Sequence, residues 1–292
     1  MRPASWQIHS YYARVTLAWF GNCVALAQAV LMAMFLAGCS PKVEGPKDEV
    51  FEQTYEIDPE AGLSIRNTDG SIVIHGTETG ALKLRAVKKA KSNEELKGID
   101  ITSSAGAKAV SITTKFLPQK NQALSTGSRT VDYIIEVPPS VNLTRIDLEN
   151  GQIAIDGMRS EDLNATVVDG QLVIRNCCGN AHLNIANGAL DLYYQSCDRR
   201  RFLVDAQITN GNAGVFIGRG GSFHVQAETM TGKIINELGD MVNLNGHAVR
   251  KVDISTGKGV VRHDIKLRVT TGDINIAEVG SETGHNSANP SR

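Results

Sequence analysis

The chain repeats one short hydrophobic pattern around a glycine. In each copy an Asn, Asp or Thr precedes the glycine, and aliphatic residues stand five and three positions before it and two and four positions after it. The copy around Gly151, for example, has Ile146 and Leu148 before the glycine and Ile153 and Ile155 after it. Across eight copies, 28 of these 32 sites hold Ile, Leu, Val or Ala. The turn glycines are Gly70, Gly151, Gly170, Gly188, Gly211, Gly232, Gly257 and Gly272, and the four exceptional sites are Asn67, Thr229, Asn236 and Gly259.

Alternation with a period of two on both sides of the glycine predicts two strands joined at a corner, each with one buried face. An Asn-Gly or Asp-Gly pair suits that corner because both residues tolerate a positive φ. Two all-β architectures have this phasing. A meander of hairpins would pair the two halves of one copy with each other, whereas a solenoid would stack each copy on the next.

We favour a β-solenoid of about seven to eight short coils. Successive glycines from Gly151 to Gly272 are 15 to 25 residues apart, which is a typical repeat period. Aromatic residues make up only 5% of the chain, whereas propellers and barrels usually carry periodic aromatic motifs. The small polar residues before the glycines, from Asn150 to Thr271, are expected to hydrogen-bond along the stack as a ladder.

The repeat, together with the segment before it, resembles the bacterial putative-adhesin family of β-solenoid domains, which are related to the head domains of surface adhesins. The resemblance covers about residues 50–277. It implies a right-handed, single-chain solenoid at the cell envelope, a handedness that the rule for parallel crossovers also favours. It supplies no catalytic residues and no cofactor.

The first 38 residues have the composition of a secretory signal peptide. Arg2 and Arg14 are accompanied by no acidic residue, and a largely apolar run follows from Val15 to Gly38. The run is also long enough to span a membrane, so an uncleaved anchor is the alternative.

The segment 36–39, Leu-Ala-Gly-Cys, resembles the lipobox of bacterial lipoproteins. This resemblance implies cleavage before Cys39 and acyl chains, such as palmitate, on its sulfur and its new amino terminus. Several acyl chains anchor a protein stably to a membrane where one does not. Ser40, rather than Asp, follows the cysteine, which favours the outer membrane by the sorting pattern of such lipoproteins.

The remaining chain is predicted to have three parts. Residues 39–49 are a tether that contains Pro41 and Pro46, and residues 50–277 are the solenoid domain. Within that domain, residues 81–139 depart from the repeat and are expected to cap the first coils, because an open end exposes strand edges. The cap includes a short helix with a capping box at Ser92 and Glu95. Residues 278–292, rich in Gly, Ser and Asn, form a disordered tail.

Three cysteines, Cys177, Cys178 and Cys197, lie in the repeat region. Cys178 and Cys197 are 19 residues apart, close to one coil. Stacked positions lie about 4.8 Å apart, at the lower end of the Cα separation that a disulfide accepts. We expect Cys197 to be bridged to Cys178 or Cys177, with one thiol left over. Reduced thiols and a metal site are the alternatives, and we predict no metal.

Two basic clusters are candidate anion sites. Arg199, Arg200 and Arg201 follow the third coil and would meet phosphate or an acidic glycan, unless they are simply a solvated loop. The second cluster is a strand with outward cations that either binds anions or protects a sheet edge. It comprises Lys83, Arg85, Lys88, Lys89 and Lys91.

Outward columns of the repeat offer further candidates. Five positions after the glycine, Asp156 with Arg175 and Glu237 with Arg262 would place opposite charges on adjacent coils. Three positions after it, an apolar column is expected to face solvent, and it marks either the docking surface of the cap or a partner site. This column holds Val73, Ala154, Val173, Ile235 and Val260.

The sequence predicts no enzyme. Phosphate loops, nucleophile elbows and zinc-protease helices are absent, and the acids are spread one per coil, as Asp156, Asp169, Asp191 and Asp205. Removal of Arg2 and Arg14 would leave 28 basic and 31 acidic residues, so nucleic acid is not an expected partner. We expect a non-catalytic, lipid-anchored envelope protein whose partner is an envelope protein or glycan. The alternatives are a β-helix polysaccharide-active enzyme and a structural or stress accessory of the envelope.

Overall fold

The computed structural model describes residues 47–118, 129–195, 197, 200–238, 250–257 and 262–279. The predicted signal peptide, Cys39, Arg199, Val260 and most of the predicted tail lie outside these residues. The described elements, in chain order, are β1 (Lys47–Glu56), β2 (Gly62–Gly76), β3 (Ala81–Ala90), α1 (Asn93–Lys97), β4 (Ile99–Gly106), β5 (Ala109–Phe116), β6 (Arg129–Val137), β7 (Asn142–Asp156), β8 (Asp162–Arg175), β9 (Asn180–Tyr194), β10 (Leu203–Ile217), β11 (Phe223–Thr231), β12 (Ile234–Asn236), β13 (Lys251–Ser255), β14 (His263–Thr271) and β15 (Ile274–Glu278). The protein is therefore all-β apart from one short helix.

Seven of the eight predicted copies each form one layer of a stack. Strands β2, β7, β8, β9 and β10 each run through their glycine and pair in parallel with the next strand of this series. The register keeps equivalent residues together, so that Gly151 lies opposite Gly70 on one side and Gly170 on the other. The two halves of a copy thus pair with neighbouring copies and not with each other, which excludes the hairpin meander.

The stack departs from chain order after β10. Strands β14 and β15 pair with the two halves of β10, and β11 and β12 pair in turn with β14 and β15. The copy around Gly272 therefore lies between those around Gly211 and Gly232. The expectation that successive copies stack in chain order is wrong here.

The described half of the copy around Gly257, residues 251–257, does not join the parallel stack. Its strand β13 pairs with β11 in antiparallel orientation, and Val252 and Ile254 are only half-buried. The pattern around Gly257 is weaker because Gly259 contributes no side chain at the inward position after the corner. The prediction that the copy around Gly257 stacks in parallel with the others is therefore wrong for its described half.

The segment 81–139 lies beyond β2. Strand β5 pairs in parallel with the first half of β2 and β6 with its second half, while β4, β3 and β1 extend the sheet by antiparallel pairing. The predicted N-cap is present, since the Ser92 hydroxyl accepts a hydrogen bond from the Glu95 backbone N–H. The Glu95 carboxylate accepts from the backbone N–H of Lys91 at 3.0 Å, one residue before the partner that a full capping box uses. The predicted tether is too long by three residues, because residues 47–49 belong to β1 and the Glu49 carboxylate pairs with Lys88 at 2.9 Å.

The corners of the layers are in direct contact. A Cβ on Gly188 would lie 1.7 Å from the carbonyl oxygen of Gly170, and Gly188 has a φ of 137°, so no other residue fits there. Beside the glycines, the Asn187 amide donates to Asp169 at 2.8 Å and the Asn210 amide donates to Asn187 at 3.0 Å. The predicted polar ladder is confirmed at these positions.

Inward positions of the seven stacked copies are buried, with the exception of the half-buried Asn236. Two of these buried residues are polar, and they occupy the same position in the outermost layers. The Asn67 amide donates to the carbonyl of Val131 at 2.8 Å, and the Thr229 hydroxyl donates to the carbonyl of Gly272 at 2.8 Å. Each polar exception therefore satisfies a corner carbonyl of the adjoining layer.

A disulfide joins Cys178 to Cys197, with Cα atoms 5.6 Å apart. It links the turn after β8 to the turn after β9 and is one of the two pairings that the spacing predicts. Cys177 is free and buried, and burial raises the pKa of its thiol to about 12. The protonated thiol is a poor nucleophile, so it is protected from exchange with the neighbouring disulfide.

Candidate functional site

The arginine cluster predicted as an interaction site is engaged in ion pairs. Arg200 contacts the Glu161 carboxylate at 2.8 Å, and Arg201 contacts Asp264 at 2.6 Å. The cleft beside them has a volume of only about 30 Å³. Because each described arginine has its own carboxylate, this loop is a weak candidate for capturing an anionic ligand.

Asp264 also belongs to a charged group that sequence reasoning missed. The His224 ring contacts Asp253 at 2.7 Å through Nε2 and Asp264 at 3.0 Å through Nδ1. These hydrogen bonds raise the pKa of His224, and the group joins β11, β13 and β14. The sequence contains one indication of this contact, since His224 stands eight positions before Gly232 and Asp264 eight positions before Gly272. Equal positions predict a contact only if the two copies are known to be adjacent layers.

The lysine-rich strand β3 is neutralised by its neighbours. Every carboxylate that it contacts comes from β1 or β6, the strands on its two sides. The pairs are Lys83 with Glu136 at 3.2 Å, Arg85 with Glu52 at 3.1 Å, Lys88 with Glu49 at 2.9 Å and Lys89 with Asp132 at 2.8 Å. This cluster forms ladders of opposite charge across three strands and leaves no concentrated positive patch.

The apolar column three positions after the glycine is discontinuous. Val73 and Ala154 are half-buried and Ile235 is exposed, but Val173, expected to face solvent, is buried with 3% of its surface exposed. In the spatial order of the layers, Asp191, Gly214 and Asn275 separate Val173 from Ile235. The predicted apolar stripe is therefore wrong as a continuous surface.

The column five positions after the glycine is a packing ladder. Asp156 lies opposite Arg175 as expected, Arg175 lies over the Tyr193 ring at 5.5 Å, and Tyr193 stacks on Phe216 with ring centres 4.7 Å apart.

The prediction that Glu237 and Arg262 lie opposite each other in this column is wrong. Arg262 donates to the Ser255 hydroxyl at 3.3 Å, and Ala277 occupies the site next to Glu237 because the Gly272 copy adjoins the Gly232 copy.

A groove opens at the first corner of the stack. Pairing between β5 and β2 ends at Arg66, and pairing between β6 and β2 begins at Gly70, so residues 67–69 have no strand partner on that side among the described strands. This corner groove has a volume of about 420 Å³, within the range of roughly 300–1,000 Å³ typical of ligand sites. Its lining comprises Arg66, Asn67, Thr68, Thr113, Thr114, Arg145, Asp147, Leu148, Glu149, Thr166 and Val168.

A β-bulge shapes one wall of the groove. Leu143 lies opposite Leu63, but the next partner of β2, Ser64, lies opposite Arg145, so Thr144 is the extra residue. Bulges re-aim neighbouring side chains, and here Thr144 and Arg145 are both exposed although they are consecutive.

Two arginines of the groove share one carboxylate. Arg145 forms an ion pair with Asp147, and Arg66 lies 3.9 Å from the same carboxylate oxygen. Roughly half of each arginine side chain is exposed, 53% for Arg145 and 54% for Arg66. Their guanidinium groups therefore carry more N–H donors than one carboxylate accepts.

Acids that would serve catalysis do not converge. Asp156 faces Arg175, Asp169 accepts from Asn187, Asp191 accepts from Gln171, and Asp205 lies near Arg268. These pairs belong to four different columns of the stack. Within the described part of the chain, no group of three His, Cys, Asp or Glu side chains is arranged to hold a metal ion. The same residues contain no helix with the length and apolarity that a membrane crossing requires.

The architecture is an open all-β sheet of stacked parallel layers closed off by antiparallel strands. No protein-family model and no curated protein matches the sequence. Among solved structures, a putative cell adhesion protein from Clostridium sporogenes is similar, with a TM-score of 0.50 and 15% identity over 80% of this chain and 99% of that chain. This likeness shows a shared fold.

Two further structures align with lower TM-scores. A putative adhesin from Bacteroides fragilis has a TM-score of 0.28 and 9% identity over 81% of this chain and 100% of that chain. A putative lipid binding protein from Parabacteroides distasonis has a TM-score of 0.28 and 9% identity over 80% of this chain and 97% of that chain. At these scores the two alignments carry no structural conclusion.

Proposed function

We propose that this chain is a non-catalytic lipoprotein of the cell envelope whose right-handed β-solenoid surface serves adhesion to, or interaction with, an envelope protein or glycan. The anchor is Cys39, and Ser40 directs the protein to the outer membrane. The proposal takes the role in the name of the Clostridium sporogenes structure, a putative cell adhesion protein, and extends it to a chain with the same fold.

The observation that carries the proposal is the contact between corner glycines. Each successive corner approaches the previous one so closely that even a Cβ is excluded. Such a stack is stiff because interiors packed without voids resist deformation. Its outward columns are held at the strand spacing of about 4.8 Å, which gives a regular surface suited to an extended partner and requires no chemistry.

The anchor is tested by changing Cys39→Ser in the full-length chain, expressed in a bacterium with an outer membrane. Mass spectrometry of the amino-terminal peptide is expected to find acyl chains in the unchanged protein and none in the variant, which also leaves the membrane fraction. Cys23→Ser, inside the predicted signal peptide, is the matched control and is expected to remain lipidated. A wild-type amino terminus without acyl chains would refute the anchor.

The surface is tested with the purified lipoprotein in mild detergent. We expect saturable binding to isolated envelope fractions or to a glycan array, retained when the salt concentration is raised. Retention at high salt separates a specific surface from non-specific charge attraction, which salt screens. Absence of binding in both formats would overturn the adhesion role and favour a structural accessory of the envelope.

A further inference from the structure

We propose that the corner groove binds an acidic saccharide, with the carboxylate of a uronic acid between Arg66 and Arg145 and sugar hydroxyls on the surrounding threonines. The inference rests on the proposed function and deepens it by naming a site and a ligand class. It also moves the expected anion site from the Arg199–Arg201 loop to the first layers of the stack.

The groove results from two local departures from the repeat. On one side of β2 the cap provides two separate strands, β5 and β6, instead of one continuous strand with a corner. Residues 67–69 therefore have no strand partner on that side among the described strands. The bulge at Thr144 then places Arg145 on the same side as Arg66. Bulges are frequent beside functional sites, and this one lies at the wall of the corner groove.

The arrangement of its charges, and not a net charge, distinguishes this groove, because Glu149 also lines it and two acids there balance two arginines. Arg200 and Lys83 each contact a carboxylate of their own, and Arg201 shares Asp264 with His224. In the groove, Arg66 and Arg145 share Asp147. A planar carboxylate from a ligand would accept the remaining guanidinium N–H groups, an arrangement that is stronger and more directional than a neutral hydrogen bond.

The rest of the lining suits a hydroxyl-rich molecule. Thr166 is exposed, and Thr68 and Thr113 are half-buried, so their hydroxyls are available both to donate and to accept. Val168, 42% exposed, adds an apolar wall for the C–H groups of a sugar ring.

Asn67 leaves one buried polar atom unsatisfied next to the groove. It lines the groove with 4% of its surface exposed, and its Oδ1 has no hydrogen-bond partner among the described residues, although its Nδ2 donates to two carbonyls. A buried amide oxygen without a donor is costly. Because that oxygen is itself buried, a buried water, and not a ligand hydroxyl in the open groove, would supply the donor.

The test uses the full-length lipoprotein in detergent, with oligogalacturonate as the acidic probe and a maltooligosaccharide as the neutral probe. Calorimetry is expected to show binding of oligogalacturonate only. The double variant Arg66→Gln, Arg145→Gln is expected to weaken that binding at least tenfold, an effect typical of losing charged hydrogen bonds. The control variant Lys83→Gln, Arg85→Gln also removes two exposed, ion-paired charges and is expected to change binding less than twofold.

Equal weakening by both double variants would show non-specific charge attraction and overturn the site. Equal binding of the two probes would overturn the acidic ligand. If the unchanged protein binds envelope fractions but not oligogalacturonate, the ligand inference fails while the proposed function stands. If it binds neither, the proposed function fails as well. Circular dichroism and thermal unfolding of both variants verify that a loss of binding is not a loss of fold.

Discussion

The middle and the carboxyl-terminal end of the stack are built from the same repeat and differ in how its copies are arranged. From β7 to β10 the order in space is the order in the chain. Beyond β10, the copy around Gly272, which is last in the chain, comes next in the stack, and the copy around Gly232 forms the end layer. The difference teaches that the repeat determines the form of one layer without determining which layers adjoin, because copies in the same phase offer equivalent ladders.

The outermost layers also differ from the middle layers in their inward residues. At the position three before the glycine, the middle copies have Leu148, Val167, Ile185 and Ile208. The outermost copies have Asn67 and Thr229, which hydrogen-bond to backbone carbonyls at the corner. The first and last copies of the stack therefore use a polar side chain where a middle copy uses an aliphatic one.

The largest expected effect comes from breaking a middle corner. In Gly188→Ala, the new Cβ would meet the Gly170 carbonyl oxygen at 1.7 Å, at a φ of 137° that an L-residue rarely adopts. We expect the free energy of unfolding to fall by at least about 3 kcal/mol, measured by urea denaturation. Gly80→Ala is the control, because nothing lies within 4 Å of its Cβ, and it is expected to be nearly neutral. A nearly neutral Gly188→Ala would contradict the contact between corners.

The next effect concerns the covalent link between two middle layers. Cys197→Ser removes the disulfide with Cys178, which spans 19 residues. We expect a loss of about 3 kcal/mol, the size associated with releasing a loop of that length in the unfolded chain. Reductant is expected to destabilise the unchanged protein equally and the variant not at all. If reductant destabilised the variant as well, another cysteine would be bridged.

The polar exception at the far end gives a smaller effect. Thr229→Val makes the outermost layer resemble its neighbour, where Val269 is the paired residue, but leaves the Gly272 carbonyl without the donated hydroxyl. We expect a loss of about 1–2 kcal/mol in unfolding free energy. Thr229→Ser keeps the hydroxyl, and its loss is expected to be smaller. A gain in stability with Val would show that the end layers tolerate middle-layer residues.

Local features of the fold follow from the sequence because alternation and turn chemistry act within a few residues. Ile153 and Leu190 are buried as their distance from the glycine predicts. The N-cap at Ser92 involves a backbone N–H only three residues further along the chain. The insertion of the Gly272 copy beside Gly211 depends on pairing between residues about 60 positions apart. Periodicity contains no information about that choice, and the prediction of serial stacking failed there.

The candidate site was predictable only in part, for the same reason. Arg66 and Asp147 stand at the same distance before their glycines, so the phasing places them on neighbouring layers, where they lie opposite each other. The groove also needs the missing corner between β5 and β6 and the extra residue at Thr144. Both are interruptions of the pattern, and a periodic pattern does not predict its own interruptions.

The smallest effect tests how β13 is held against the end of the stack. Asp253 of β13 and Asp264 of β14 both hydrogen-bond to His224, whose pKa they raise above the ordinary value of 6.5. Arg201 also faces Asp264, and Gln226 donates to Asp253. The charged imidazole donates from both nitrogens, whereas the neutral ring keeps only one such bond.

Because the pKa of His224 is higher in the folded chain than in the unfolded chain, its protonation stabilises the fold. This contribution is complete at pH values below the unfolded pKa and is lost as the pH rises through the folded pKa. The pKa values of both carboxyl groups are lowered, so they stay ionised throughout that window. Stability is therefore expected to decline from about pH 6.5 upwards by less than about 1 kcal/mol, since the group is partly exposed. His224→Gln is expected to abolish this decline, measured as the urea midpoint across the pH range. A decline of the same size in the variant would assign it to other groups and leave the backbone ladder with β11 as the main attachment of β13.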